Sequence, residues 1–203
     1  MSVTALALFI PACFALNLTF GPSNLLSVTV GAERGMRLAM AAGLGRLAAF
    51  APLIALSGAG MGVVLATSAW AFTVLKLVGA AYLIWIGLKL LRAPAPEIEH
   101  RAAPAGLSAL MRREFLVGIG NPKAILIFTA FFPQFVDQGA YWQSYALLGA
   151  LFLVLEMGAI AVYAGIGRAV GRAAGEGLAW LTRVSGVGMI VFGALMVFAR
   201  RPA

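Results

Sequence analysis

Two Xaa-Pro pairs within apolar sequence, Gly21-Pro22 and Asn121-Pro122, are where this chain could do chemistry. Proline lacks an N–H and its ring clashes with the preceding turn, so each pair opens a helix and frees backbone carbonyls. Such broken backbone is tolerated at membrane depth only where it is buried in protein or lines a wet cavity. The residues after each proline form a helix N-terminus, whose N–H groups and positive dipole end favour an anion such as a carboxylate. Polar side chains gather beside both breaks: Asn17, Thr19, Ser23 and Asn24 at the first, Asn121 at the second. Either a ligand or the opened backbone could use them. A single proline is adequately explained as a packing kink; two at comparable places point to a binding site.

Three ionisable residues lie inside the apolar runs: Arg46, Lys123 and Glu156. Each costs ~3 kcal/mol or more at the bilayer centre unless it is paired or hydrated. Glu156 is the candidate proton carrier, with Arg46 its coupling partner. Burial favours the neutral acid and a nearby cation favours the carboxylate, so a change of arrangement could load and release a proton. A static ion pair of Glu156 with Arg46 or Lys123 is the competing reading. Lys123 could bind a substrate carboxylate or reach the interface, and Lys76 and Lys89 read as snorkelling side chains. Enzyme chemistry finds no support. The sole histidine, His100, stands among prolines, Cys13 has no partner, and neither GxSxG nor HExxH occurs. No acid cluster could bind a metal, and no cofactor is implied.

These residues sit in a chain of 203 residues that is 62% hydrophobic and 11% charged, with a mean hydropathy of +0.97. Such a composition excludes soluble, fibrous and disordered classes. The net charge of +8 does not signal nucleic acid, because the basic residues fall between apolar runs, where they orient the chain in a bilayer. At about 20 apolar residues per crossing, the sequence divides into six spans near 3–30, 38–66, 70–91, 115–136, 142–167 and 178–199. The first lacks a positive n-region and stays as a helix. Lys and Arg concentrate after the first, third and fifth spans, which places those connections in the cytoplasm and both termini outside, although Arg200 and Arg201 oppose the last placement. The segment 92–114, with Pro94, Pro96 and Pro104, reads as a flexible cytoplasmic linker ending at Glu114. Trp70, Trp142 and Trp180 fall at span ends as interfacial anchors.

The chain also repeats. Gly21-Pro22-Ser23-Asn24-Leu25-Leu26 is echoed by Asn121-Pro122-Lys123-Ala124-Ile125-Leu126, Ile54-Ala55-Leu56 by Ile160-Ala161-Val162, and Lys76-x-x-Gly79 by Arg183-x-x-Gly186. The order is the same and the offsets are close to 100 residues. The predicted fold class is therefore an all-α integral membrane protein of six helices in two three-helix repeats, 1–91 and 115–203. Three is odd, so the second copy is inverted, the architecture of secondary transporters. Chance similarity between Gly/Ala/Leu-rich helices is the alternative. Glycine-rich faces allow close helix approach, within one chain or in a homodimer.

With these residues laid out, the chain resembles the LysE/RhtB family of bacterial inner-membrane amino-acid exporters. The likeness rests on the Gly21–Leu26 string, on Gly79-Ala80-Ala81-Tyr82-Leu83-Ile84-Trp85-Ile86-Gly87, and on Asn121-Pro122-Lys123-Ala124 followed by Phe132-Pro133-Gln134-Phe135-Val136. The family's usual Pro-Gly-Pro is Phe20-Gly21-Pro22 here, and the acid common in the family's fifth helix is Glu156. The resemblance implies export of an amino acid or related metabolite by proton exchange. The substrate carboxylate would face the helix N-terminus near Pro122 and Lys123, and its ammonium the carbonyls freed at Gly21. A single acid at membrane depth points to a neutral amino acid over a cationic one. A non-transporting membrane subunit and a passive channel are the readings this must displace.

Overall fold

Both breaks are present. In the structure, a computed structural model that describes residues 2–67, 69–93, 106–170 and 175–198, helix α1 (Val3–Asn17) stops short of Pro22, and α2 (Pro22–Arg34) leaves it at 66°. Helix α5 (Leu107–Ile119) likewise ends before Asn121, and the segment from Pro122 departs at 50°. That segment is a short helix, α6 (Pro122–Leu126), continued by a π turn at Ile127–Phe131 and a 3-10 turn at Phe132–Gln134. In each case the proline is the first helical residue, where its missing N–H is no loss.

The remaining helices are α3 (Met36–Thr67), α4 (Ala69–Arg92), α7 (Tyr141–Val170) and α8 (Gly175–Phe198). Gly35, at φ 83°, turns the chain between α2 and α3, a conformation open to glycine at little cost. Among the described residues the fold is all-helical, with no strand. Met36–Val63 and Gln138–Ala169 are each long and apolar enough to cross a membrane, and each bent pair qualifies as one broken span, giving up to four.

Glycines set how closely the long helices approach. A Cβ on Gly43 would lie 2.7 Å from Ile160 Cδ1, and one on Gly149 would lie 2.9 Å from Ile54 Cγ2, so α3 and α7 run antiparallel. Helices α4 and α8 are also antiparallel: a Cβ on Gly87 would lie 2.6 Å from Gly186 O, and one on Gly193 2.8 Å from Ala80 O. Between α1, α3, α7 and the π turn lies a core of Phe9, Phe50, Phe128, Phe131, Phe132 and Phe152. Most of its rings meet edge to face, as in Phe128–Phe152 at 4.8 Å between centroids, while Phe9 and Phe131 stack at 5.5 Å. Lipid is as apolar as these side chains, so what this core contributes is fitted van der Waals contact. Trp70, Trp142 and Trp180 are exposed, as interfacial anchors require.

The connection expected over 92–114 differs in its second part. Helix α5 already begins at Leu107, and its buried stripe of Leu110, Glu114 and Gly118 faces inward, Gly118 against Ala49 and Arg46 of α3. The i, i+4, i+8 spacing of that stripe is helical, and it carries Glu114 into the core. Pro94, Pro96, His100 and Pro104 lie outside the described residues, as do Arg200 and Arg201.

Candidate functional site

Arg46, with no solvent exposure, is the centre of the site. Its Nε donates to Glu114 Oε2 at 2.8 Å, and its Nη1 donates to Glu156 Oε1 at 2.9 Å and to Asn24 Oδ1 at 3.2 Å. Its Nη2 donates to Ser27 Oγ at 2.7 Å and to the Ser23 carbonyl. A guanidinium has five N–H donors in a planar fork, and here each has an acceptor. Taking a guanidinium out of water is costly, and a full set of acceptors offsets it. Three helices thereby converge on α3: α2 through Ser23, Asn24 and Ser27, α5 through Glu114, and α7 through Glu156.

The Leu16, Asn17, Leu18 and Thr19 carbonyls at the first break are engaged from within the protein. The Asn24 amide donates to Asn17 O at 2.9 Å and Thr19 O at 2.8 Å, and the Tyr163 hydroxyl donates to Leu18 O at 2.5 Å. Thr19 Oγ1 donates to Leu16 O at 2.6 Å, and Ser185 Oγ accepts from Phe20 N at 2.6 Å. The Lys123 ammonium reaches in from the second break, donating to Thr19 O at 2.9 Å, Thr19 Oγ1 at 3.2 Å and Leu16 O at 3.3 Å. The amide of Asn17, oriented to suit its neighbours, donates to Cys13 O at 3.2 Å and accepts from Glu156 N at 3.1 Å.

The second break is bound to the first. Asn121 Nδ2 donates to Ser23 Oγ at 3.0 Å, while Asn121 Oδ1 accepts from Lys123 N at 3.0 Å and caps α6. That cap occupies the helix end where the sequence suggested a substrate carboxylate would sit. The N-terminus of α2 is different: Gly21 offers no side-chain cap, and a Cβ placed on it would meet no atom within 4 Å.

All the sequence-selected residues, Asn17, Gly21, Pro22, Ser23, Asn24, Arg46, Asn121, Pro122, Lys123 and Glu156, therefore lie in or beside one cluster. Pro22 and Pro122 are exposed at its edge, and the others are buried or partly buried. One expectation needs correction. Glu156 is not the sole acid beside the breaks, because Glu114 joins it on Arg46. Of the two bases that could pair with Glu156 it is Arg46 that does so, while Lys123 donates to the carbonyls of the first break. Sequence reasoning missed Glu114, Ser27, Tyr163 and Ser185. For Glu114 the inward stripe of α5 was an available signal; for the hydroxyls there was none.

The chain matches the family described as LysE type translocator over residues 14–200. It is 31% identical over 189 residues to the homoserine/homoserine lactone efflux protein of Salmonella typhimurium, covering 91% of this chain and 92% of that one. It is 33% identical over 157 residues, 75% of each chain, to an uncharacterized membrane protein of Vibrio cholerae. Over 139 residues it is 32% identical to the leucine efflux protein of Klebsiella pneumoniae, covering 68% of this chain and 65% of that one. No solved structure matches it. With broken helices closing on a buried charged cluster and this likeness over most of its length, the chain belongs to the LysE-type translocators, multi-pass bacterial inner-membrane transporters and not enzymes.

Proposed function

We propose that this protein exports a neutral amino acid or a related small metabolite from the cytoplasm in exchange for protons. The observation that carries the reading is the seat of the Lys123 ammonium on Leu16 O, Thr19 O and Thr19 Oγ1, an ammonium site built from the carbonyls of a broken helix. An amino-acid zwitterion would take that seat with its own ammonium. Lys123, displaced, would turn to the substrate carboxylate, with the uncapped N-terminus of α2 at Gly21 and Pro22 beside it. The exchange puts one ammonium in place of another and pairs the displaced one with the carboxylate, so the net local charge is unchanged.

Neutral substrates are favoured on a ground other than the count of acids. Glu114 and Glu156 are both engaged by Arg46, so no carboxylate is left over for a cationic side chain. Relatives named for efflux of homoserine and leucine, whose side chains are uncharged, support the same class. Glu156, 4% exposed and shared with Asn17 through its backbone, is the proton-exchanging acid of this reading. A paired Glu156 would equally suit a non-transporting subunit; membership of a transporter family decides against it.

The reciprocal glycine contacts support six spans in two inverted halves. Adding 106 to Gly43 gives Gly149 and to Ile54 gives Ile160, so the Gly43–Ile160 and Gly149–Ile54 contacts exchange with each other. The same offset carries Gly87 to Gly193 and Ala80 to Gly186, and exchanges the two contacts between α4 and α8. A two-fold axis in the membrane plane has this property, and it would pass between the halves that rock in alternating access.

The deciding test is efflux from preloaded proteoliposomes across a panel of amino acids, with and without a pH gradient, for wild type and Glu156→Gln. Gradient-dependent efflux of a neutral amino acid, lost in the variant while exchange persists, supports the reading. Flux indifferent to the gradient in both proteins would make the chain a passive channel.

A further inference from the structure

Glu114 is wholly buried on α5, and the two edges of its carboxylate are treated differently. Oε2 accepts from Nε of Arg46 at 2.8 Å and lies 2.8 Å from its Nη2 in an ion pair. Oε1 is buried and has no hydrogen-bond partner, the one such side-chain atom among the described residues. An ionised oxygen without a donor in apolar surroundings is strongly disfavoured, whereas a proton on it removes the charge and leaves Oε2 free to keep its bond from Arg46 Nε. The local charge agrees. Arg46 is shared by two carboxylates, so the triad carries one negative charge in excess if both are ionised. Lys123, the other buried-side cation, is turned to the carbonyls of the first break. The charged groups facing Glu114 are Arg46 from α3, Glu156 from α7 and Arg113 on its own helix; α2, which also packs here, brings only the uncharged Ser23, Asn24 and Ser27 around Arg46.

We propose that Glu114 is a second proton-exchanging carboxylate and holds the proton on Oε1 in this conformation, with Arg46 linking it to Glu156. The inference rests on the antiport reading and extends it. The structure is then the proton-loaded form, in which Lys123 fills the ammonium seat that a substrate would take. Release of the proton leaves two carboxylates competing for one guanidinium, and that competition gives α5 and α7 a reason to change their distance from α3.

Difference infrared spectroscopy of the purified protein in lipid tests the proton itself. At neutral pH, wild type should show the carbonyl stretch of a protonated carboxylic acid, absent in Glu114→Gln and retained in Glu156→Gln. A spectrum with no such band, or one that loses it only in Glu156→Gln, overturns the proposal. Should Glu114→Gln not survive purification, Glu114→Asp should move the band in frequency. In proteoliposomes, Glu114→Gln should lose gradient-driven efflux by about ten-fold or more; full gradient coupling in Glu114→Gln sinks the idea. Wild type without any gradient coupling would instead fail the antiport reading, while the infrared band would still report where the proton sits.

Discussion

The ammonium of Lys123 lies 2.9 Å from the carbonyl of Thr19, a residue 104 positions earlier, so a side chain from one broken helix closes the opening in the other. Both carbonyls it serves have second donors: Asn24 for Thr19 O, and Thr19 Oγ1 for Leu16 O. Loss of the ammonium therefore leaves no backbone acceptor unpaired. We expect Lys123→Met to fold and purify as wild type does, with a stability loss of about 1 kcal/mol. Transport should fall ten-fold or more in kcat/KM if the ammonium meets the substrate. Unchanged efflux by Lys123→Met would confine Lys123 to a structural role.

Arg46 is the residue whose loss the fold tolerates least. Its replacement by Met strands the buried Glu156 carboxylate and leaves Glu114 without its donor, and breaking a buried pair by removing one partner costs about 3–5 kcal/mol. The remedy is to replace both acids as well. Adding Glu114→Gln and Glu156→Gln to Arg46→Met should recover most of the lost thermal stability in detergent, without recovery of transport. Arg46→Lys should not substitute, because one ammonium has three donors for the five acceptors now filled. Equal melting temperatures for Arg46→Met and the triple variant would show that charge compensation is not what Arg46 provides.

The contrast between Gly45 and Gly60 separates tight packing from mere absence of a side chain. Both lie in α3. A Cβ on Gly45 would press into the Met111 backbone, with the carbonyl carbon 2.7 Å away, whereas one on Gly60 would meet nothing within 4 Å. Gly45→Ala must push α5 off α3 and should cost about 1–3 kcal/mol. Gly60→Ala should be neutral or gain up to about 1 kcal/mol from helix propensity. Thermal melting of the two variants side by side reads the difference directly, and equal effects would place the α3–α5 contact elsewhere.

What the sequence made legible was the pair of breaks and the residues beside them, because Pro has few uses inside an apolar run and charge has fewer. Gly21-Pro22 and Asn121-Pro122 could be read from composition alone, and so could Arg46 and Glu156. Glu114 could not be read that way. It follows Arg112 and Arg113 directly, and a count of charges assigned the whole stretch to a polar connection. Helical periodicity across Leu110, Glu114 and Gly118 held the needed information, since an acid in an otherwise small and apolar stripe must find a buried cation. The engagement of Lys123 by carbonyls rather than by an acid was beyond sequence. Pairing across about a hundred residues depends on how α1 and α6 are brought together, and no local pattern encodes that.

The distribution of Lys and Arg makes a prediction about sidedness that tests the two inverted halves as well. If α2, α5 and α7 each have a cytoplasmic end, Gly106 before α5 and Ala169 at the end of α7 share one side, and Gly139 between the α6 segment and α7 lies on the other. All three are exposed, and a Cβ on Gly106 would meet nothing within 4 Å and one on Gly139 only Asp137 Oδ1 at 3.4 Å, so a small thiol fits at both. In a Cys13→Ser background, cysteine at 139 should react with a membrane-impermeant maleimide in intact cells, whereas cysteine at 106 or 169 should react only after permeabilisation. The reverse pattern would turn the whole protein over in the membrane and leave the repeat intact. Labelling of all three from the same side would break the parity that an odd number of spans per half demands, and with it the six-span inverted architecture.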